Sequence, residues 1–110
     1  MRASTVDDLR APLKTLRFLA DEFPDLPAAD VHVSTLSPDR LELSFHDDLG
    51  AFEAWRAALA IGQDAVHFGT QGVDDSTMHL RAEGPCGACT LRLVAYAPAP
   101  SGLHAAEVAA

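Results

Sequence analysis

The sequence predicts an α+β domain, with two helices packed on one face of a four- to five-stranded antiparallel sheet. The first observation is a repeat: Val31–Thr35 reads Val-His-Val-Ser-Thr and returns 35 residues later as Val-His-Phe-Gly-Thr. The second is that each copy follows a helix-like segment and precedes another run of alternating apolar and polar residues. Because such alternation is typical of half-buried strands, we predict two helix–hairpin units and a final strand, in the order α-β-β-α-β-β-β.

Length and charge limit the function classes. A chain of 110 residues fits one domain, which we place at residues 1–97, followed by a flexible tail at residues 98–110 that is rich in Ala. Sixteen acidic residues against eight basic ones give a net charge of −8, which disfavours direct nucleic-acid binding. The sequence contains no signal-peptide pattern and no apolar run of about 20 residues. We therefore expect a cytoplasmic protein that contacts neither nucleic acid nor membrane directly.

The first helix is predicted over residues 12–23. Pro12 fits the first turn of a helix, where its missing N–H is not needed, and Pro24 ends the helix. An apolar stripe at helical spacing is expected to face the sheet, and it consists of Leu9, Leu13, Leu16, Ala20 and Phe23.

The second helix is predicted over residues 49–60. Asp47 or Asp48 is placed to cap its N-terminus, and Gly62 is placed to end it. Its apolar face contains Trp55, which we assign to the core rather than to a surface that stacks on a ligand.

Five strands follow from the alternating runs, at residues 30–36, 41–46, 65–70, 77–83 and 89–97. Turn-forming residues separate the first two strands at Ser37–Arg40 and the next two at Gly72–Asp75. The alternation turns one set of side chains toward the helices: Val31, Val33, Leu41, Leu43, Phe45, Val66, Phe68, Met78, Leu80, Leu91 and Leu93. The opposite face is then mostly polar and uncovered, as in a one-sided antiparallel sheet.

This polar face is the predicted interaction surface. Its candidate residues are mainly imidazole, guanidinium and aromatic side chains: His32, His46, His67, His79, Arg81, Arg92, Val94 and Tyr96. Tyr and Arg are enriched among the residues that dominate binding at interfaces, and an uncovered edge strand invites pairing with another strand. The leading hypothesis is a non-enzymatic protein-interaction module that forms a homodimer and binds another protein.

The histidines raise a zinc-binding module as an alternative. If the second hairpin closes symmetrically around Val73, His67 lies directly opposite His79, with a Cβ separation of about 5 Å. The same reasoning places His32 opposite Ser44 in the first hairpin. A zinc site needs three or four protein ligands, so further ligands have to come from elsewhere in the chain. The competing interpretation is that these histidines are solvated strand residues.

The segment Cys86-Gly87-Ala88-Cys89 is the second candidate for metal or redox chemistry. Two cysteines at this spacing suit a thiol redox pair or half of a zinc knuckle. The pair precedes a strand, whereas a helix N-terminus after the motif is what lowers a thiol pKa. The candidate metal ligands are thus His67 and His79, or Cys86 and Cys89. The competing interpretation is a hairpin turn built from small residues.

Motifs for catalysis are not found in the sequence. It has no Ser-His-Asp order, no phosphate-binding glycine loop and no zinc-protease helix. The carboxylate pairs Asp47-Asp48 and Asp74-Asp75 fall at predicted turns, where aspartate caps or bends the backbone. We therefore expect an interaction protein rather than an enzyme, with zinc as the one cofactor that the residue types leave open.

Three segments of the chain resemble small actinobacterial proteins of uncharacterised function: Leu26–Val33, Ala51–Leu59 and Leu91–Pro98. The resemblance extends over most of residues 9–98. Such proteins are often encoded near regulators or in integrated mobile elements, so the resemblance implies a genetic setting of regulation or element maintenance. A role accessory to a regulator is an expectation that fits this setting. It implies no activity and assigns no ligand to any residue.

Overall fold

The computed structural model describes residues 4–72 and 75–98. Two helices and five strands make up this part of the chain: α1 (Arg10–Glu22), β1 (Asp30–Ser34), β2 (Ser37–His46), α2 (Leu49–Ala58), β3 (His67–Gln71), β4 (Thr77–Cys86) and β5 (Cys89–Pro98). Short 3-10 turns precede α1 and β3, at residues 6–9 and 63–65. The α+β class and the predicted order of elements are confirmed. β5 reaches one residue into the predicted tail, and residues 99–110 lie outside the described residues.

The five strands form one sheet in the order β1-β2-β5-β4-β3. β1 pairs with β2, β3 with β4 and β4 with β5 in antiparallel fashion. β2 and β5 run parallel at the centre, so the sheet is mixed and not wholly antiparallel as predicted. The long connection through α2 permits this arrangement, because parallel neighbours need a crossover rather than a tight turn. The two copies of the sequence repeat, in β1 and β3, form the two edges.

Both helices cover the same face of the sheet, α1 over β2 and α2 over β5. The main buried side chains between the layers are apolar: Leu19, Leu41, Leu43, Phe45, Phe52, Trp55, Leu91, Leu93 and Ala95. Each large one contributes about 1.5–3 kcal/mol when fully buried. Trp55 lies in the core as predicted, and its indole N–H donates to the Pro27 carbonyl at 2.7 Å. This bond ties α2 to the segment that precedes β1.

Helix α1 begins at Arg10, two residues before the predicted start, and turns a different face to the sheet. Leu13 and Ala20 were assigned to the buried stripe but are exposed. The side chains that the helix buries are Pro12, Thr15 and Leu19. The Thr15 hydroxyl lies 3.4 Å from the Cys86 carbonyl, to which it donates. This contact with β4 holds the helix in a rotation that the apolar residues alone did not indicate.

Helix α2 is capped by Asp48 as predicted, since its Oδ1 accepts the N–H of Ala51 at 3.0 Å. The helix ends two residues before the predicted end. Ala60 takes the left-handed conformation beyond its C-terminus, with φ of 57°, whereas Gly62 does not. Arg56 in the last turn is buried and donates to a carbonyl of the following loop. The Arg56 guanidinium thus stabilises the C-terminus of the helix, a role that the sequence analysis assigns to Gly62.

The first hairpin turns earlier than predicted. β2 includes the predicted turn Ser37–Arg40, and the chain turns at residues 35–36 instead. The Ser34 hydroxyl accepts the backbone N–H two residues later at 3.1 Å, a local bond that favours a turn there. His32 consequently pairs with Glu42 and not with Ser44.

The second hairpin is also offset by two residues from the prediction. His67 pairs with Arg81 and His79 pairs with Gly69, so the direct pairing of His67 with His79 was wrong. Residues 72 and 75 take left-handed conformations, and the N–H of residue 75 bonds the carbonyl of residue 72 at 3.3 Å. This turn moves the centre of the hairpin one residue beyond the predicted position. Residues 73 and 74 lie outside the described residues.

Candidate functional site

The outer face of the sheet, opposite α1 and α2, carries all eight residues of the predicted interaction surface. Strand pairing arranges its side chains in three rows across the sheet: His32-Glu42-Arg92-Glu83, Asp30-Ser44-Val94-Arg81-His67, and His46-Tyr96-His79-Gly69. The four histidines of the strands lie on this side, as the alternation predicts.

Arg92 is held between two carboxylates in the first row. Its Nη1 lies 3.6 Å from Oε1 of Glu42, and its Nε lies 3.0 Å from Oε1 of Glu83. The Nε–H has no hydrogen-bond partner, so the shorter contact is an ion pair in which the N–H is not directed at the oxygen. The Arg92 side chain is 22% exposed, and water screens such a pair less than one on the open surface. The charge of Arg92 is therefore balanced by carboxylates of the same chain.

The centre of the outer face is shielded by neighbouring side chains. Val94 is only 5% exposed although it faces away from both helices, and the Ser44 hydroxyl beside it is buried without a hydrogen-bond partner. Tyr96 stacks on His46 with ring centroids 5.3 Å apart and planes 17° apart. His46 Nε2 also lies 3.7 Å from the Asp30 carboxylate. These side chains contact one another and leave few groups free for a partner.

His79 lies across Gly69 of the edge strand β3. A Cβ atom on Gly69 would sit 2.6 Å from both Cε1 and Nε2 of the imidazole, so the ring occupies the space that any other residue would need. The His79 Nδ1 is buried and has no hydrogen-bond partner. Sequence reasoning missed this role of Gly69. A signal was present, because the second copy of the repeat has Gly69 where the first copy has Ser34.

The predicted metal ligands do not come together. His67 and His79 lie on the outer face, whereas Cys86 and Cys89 lie on the helix side, where Cys89 belongs to the core. Within residues 4–72 and 75–98, no group of three or more His, Cys, Asp and Glu side chains could hold a metal ion. A site that joined the histidines to the cysteines would have to reach through the sheet.

Cys86 and Cys89 are paired residues on either side of a two-residue turn. Gly87 has φ of 62°, as the first central position of a type II′ turn requires. The interpretation as a hairpin turn is thus confirmed, and both thiols are free. Burial raises the pKa of the Cys89 thiol, an effect that a hydrogen bond with Thr15 partly offsets.

A second surface, which sequence reasoning missed, lies on the side of α1 that faces away from the sheet. Val6, Leu13 and Phe18 are 74%, 41% and 51% exposed there. A shallow depression connects them with charged neighbours, and we name the whole set the α1 outer surface: Val6, Asp7, Arg10, Leu13, Lys14, Arg17, Phe18 and Asp21. The signal was the number of apolar residues in this segment, which exceeds what one buried stripe can hold.

The ion pairs on the α1 outer surface are exposed and weak. Arg10 pairs with Asp7, and Arg17 Nε lies 3.6 Å from the Asp21 carboxylate. All four side chains are more than two-thirds exposed, and such pairs contribute about 0–1 kcal/mol. A carboxylate from a partner can replace either aspartate at little cost.

Comparisons with known proteins give no match, so the proposed function is argued from the geometry alone. No family model, no curated protein and no solved structure matches this chain. In the part of the chain that the structure describes, neither helix has the length and apolar character needed to cross a bilayer.

Proposed function

We propose that this protein is a small non-enzymatic interaction module that binds a protein partner through the α1 outer surface. One observation carries the proposal: Val6, before α1, and Leu13 and Phe18, at the two sides of its outer surface, are exposed and line one shallow depression with charged residues between them. A helix on the surface of a monomer is expected to turn polar side chains outward. Exposed apolar side chains that lie together and are rimmed by charge are typical of interaction sites.

The chemistry of this surface favours an acidic amphipathic helix as the partner. Arg10, Lys14 and Arg17 are three of the eight basic residues in a chain whose net charge is −8, and they surround Leu13 on successive turns. A partner helix with leucine or phenylalanine on one side and carboxylates beside them would match both features. With its two aspartates the surface carries three cations and two carboxylates, so a partner with an excess of carboxylates complements it better than a second copy does.

The outer face of the sheet, which the sequence analysis predicted as the interaction surface, is the second candidate. Tyr96 supports it because tyrosine is common among residues that dominate binding. Arg92 pairs with Glu42 and Glu83 within the chain, however, and this makes the face the weaker candidate. The predicted homodimer stays a prediction, and the edge strands β1 and β3 are where another strand could pair. A role accessory to a regulator and a cytoplasmic location also stay predictions.

Selection of binding peptides tests the proposal without knowledge of the natural partner. Helical peptides displayed on phage are selected against the immobilised full-length protein, and the affinities of the selected peptides are then measured by titration. We expect selected peptides to combine apolar side chains with Asp and Glu. Replacing Leu13 and Phe18 by serine should weaken their binding at least tenfold, a change of about 1.4 kcal/mol, and added salt should weaken binding to the wild type.

The matched control replaces Arg81 and Tyr96 by serine on the outer face and should leave binding unchanged. Loss of binding in this control, with full binding by the Leu13→Ser/Phe18→Ser variant, would move the interaction site to the sheet. Selected peptides that are basic, or that bind both variants as tightly as the wild type, would contradict the proposed partner chemistry.

A further inference from the structure

We propose that Cys86 and Cys89 form a reversible thiol–disulfide pair that exchanges with small-molecule disulfides such as glutathione disulfide. The thiols lie outside the α1 outer surface, at the β4–β5 turn, although Lys14 and Phe18 line both that surface and the cavity at Cys86. The exchange is tested on the protein without a partner, so its outcome does not depend on partner binding. Two features of the fold carry the inference, namely the direct pairing of the two residues and the difference in their access to solvent.

The register places the two cysteines opposite each other at the ends of the turn. Paired residues in antiparallel strands have Cα atoms about 4.5–5.5 Å apart, which falls within the range of about 4.4–6.8 Å for disulfides. Both side chains point to the helix side, since paired residues share a face of the sheet. The type II′ turn at Gly87 fixes this arrangement before any bond forms. Rotation of the two side chains, with a small approach of the Cβ atoms, is then enough to join the sulfurs.

Access to the two sulfurs is unequal. A cavity of about 370 Å³ lies between α1 and the turn, and its lining includes Lys14, Thr15, Phe18 and Cys86. Cys86 is half-buried, whereas Cys89 is 4% exposed and packs in the core. Burial also raises the pKa of Cys89, which lowers the fraction of its reactive thiolate. Cys86 is therefore the thiol that a small disulfide meets first, and the Lys14 ammonium suits the carboxylates of glutathione.

The exchange proceeds in two steps. The Cys86 thiolate attacks one sulfur of glutathione disulfide, forms a mixed disulfide and releases one glutathione thiolate. The Cys89 thiol then loses its proton and attacks the Cys86 sulfur, which releases the second glutathione. Two protein thiols are oxidised to one disulfide, and one glutathione disulfide is reduced to two thiols that take up the two protons. Excess reduced glutathione reverses both steps.

A disulfide at this position is expected to be labile rather than structural. It closes a loop with only two residues between the cysteines, so it removes little entropy from the unfolded chain. The turn is also already held by the strand pairing. Small stabilisation of the oxidised form means that reducing agents open it more easily than most structural disulfides.

Equilibration with glutathione tests the proposal. The full-length, reduced protein is incubated near neutral pH with a series of ratios of reduced to oxidised glutathione, quenched with acid, alkylated and weighed by intact mass spectrometry. The wild type should lose two hydrogens and take up no alkyl group in the oxidising mixtures, and should recover both thiols in the reducing ones. The Cys89→Ala variant should stop with one glutathione on Cys86, and the Cys86→Ala variant should stay unmodified.

Three results would overturn the proposal: a wild type that stays reduced throughout, one that keeps glutathione on Cys86, or one that forms disulfides only between chains. Because Cys89 lies in the core, its replacement can unfold the protein, which circular dichroism would reveal. The alkylation rates of the two wild-type thiols then replace that arm. Cys86 should react at least tenfold faster than Cys89, and equal rates in the folded protein would refute the two-step order.

Discussion

The outer face of the sheet and the α1 outer surface are both open to solvent, yet their side chains are arranged in opposite ways. On the outer face, Arg92 lies between two glutamates and Tyr96 stacks on an imidazole. On the α1 outer surface, Leu13 and Phe18 are about half exposed and have charged neighbours that form only exposed pairs. The Arg92 charge and the Tyr96 ring have partners within the chain, whereas the apolar side chains of the α1 outer surface are not covered by another layer.

This difference follows from the geometry of the two elements. A residue on a central strand has cross-strand neighbours on both sides at contact distance, so its side chain packs against others within the chain. This holds even at Ser44 and His79, where a buried polar atom has no hydrogen-bond partner. A helix that lies on a sheet has one buried face, and apolar residues outside that face have no layer to cover them. The α1 outer surface therefore keeps apolar side chains exposed, whereas in the described part of the chain three buried polar atoms without a hydrogen-bond partner, on Ser44, His79 and Arg92, lie on the outer face of the sheet.

Loss of Arg92 should have the largest effect on stability. The Arg92→Leu variant leaves Glu42 and Glu83 facing the gap without a cation, and we expect the free energy of unfolding to fall by about 2 kcal/mol. Urea denaturation followed by circular dichroism measures this change. The matched control Arg17→Leu removes an arginine from the α1 outer surface and should change stability by less than about 0.5 kcal/mol. Equal losses in the two variants would contradict the contrast between the surfaces.

Loss of an aromatic residue should also destabilise the protein more on the outer face than on the α1 outer surface, but by less than loss of Arg92 does. Tyr96→Ala removes the stack on His46 and is expected to cost about 1 kcal/mol. Phe18→Ala removes a ring that is half exposed and should cost less than about 0.5 kcal/mol. Thermal unfolding of both variants beside the wild type gives the comparison. A Phe18 variant as unstable as the Tyr96 variant would mean that α1 buries this ring.

The faces of the strands could be predicted from the sequence, but the pairing of individual residues could not. Side chains alternate along a strand, so Arg81 and Tyr96 were assigned to the outer face from alternation alone. Register depends on turn geometry, and here the Ser34 hydroxyl and the left-handed residues 72 and 75 set it. A slip of two residues preserves the face and changes every partner. This is why the residues of the outer face were predicted correctly, whereas the predicted pairing of His67 with His79 was wrong.

The rotation of α1 could not be predicted for a different reason. Apolar residues occupy more than one side of this helix, so their spacing fits two orientations. The choice depends on Pro12 and Thr15, which pattern analysis does not count as apolar, and on the bond from Thr15 to the Cys86 carbonyl. The surface proposed to bind a partner was assigned to the core as a consequence, because Leu13 was placed in the buried stripe.

Replacing the apolar residues of the α1 outer surface should reduce the exposed apolar area while leaving the free energy of unfolding nearly unchanged. The Leu13→Glu/Phe18→Glu variant is expected to keep its free energy of unfolding within about 0.5 kcal/mol of the wild type. Its binding of the dye 1-anilinonaphthalene-8-sulfonate should fall, since this dye reports exposed apolar surface. The fluorescence titration uses Arg81→Ser as the control, an exposed position on the outer face, and this variant should bind the dye as the wild type does. A double variant that unfolds would show that these side chains support the core.

The smallest expected effect concerns an ion pair on α2, whose exposure is intermediate between that of the ion pairs on the two surfaces. Glu53 and Arg56 pair on α2, where the arginine side chain is 11% exposed and the glutamate 53%. The hydrogen bond from Arg56 lowers the pKa of Glu53. Since the folded pKa lies below the unfolded one, the pair stabilises the protein fully above the ordinary glutamate range, about pH 4. This contribution is lost as the pH falls through the folded pKa.

Glu53→Gln should therefore lower stability slightly at neutral pH and have no effect in strong acid, as urea denaturation at a series of pH values would measure. In an Arg56→Met background the same substitution should have no effect at any pH, because the partner that shifts the pKa is absent. A difference that persists in acid would assign the role of Glu53 to its side-chain packing instead of its charge. The pair would then resemble the contacts of the outer face, where neighbours hold a side chain in place, more than the exposed pairs of α1.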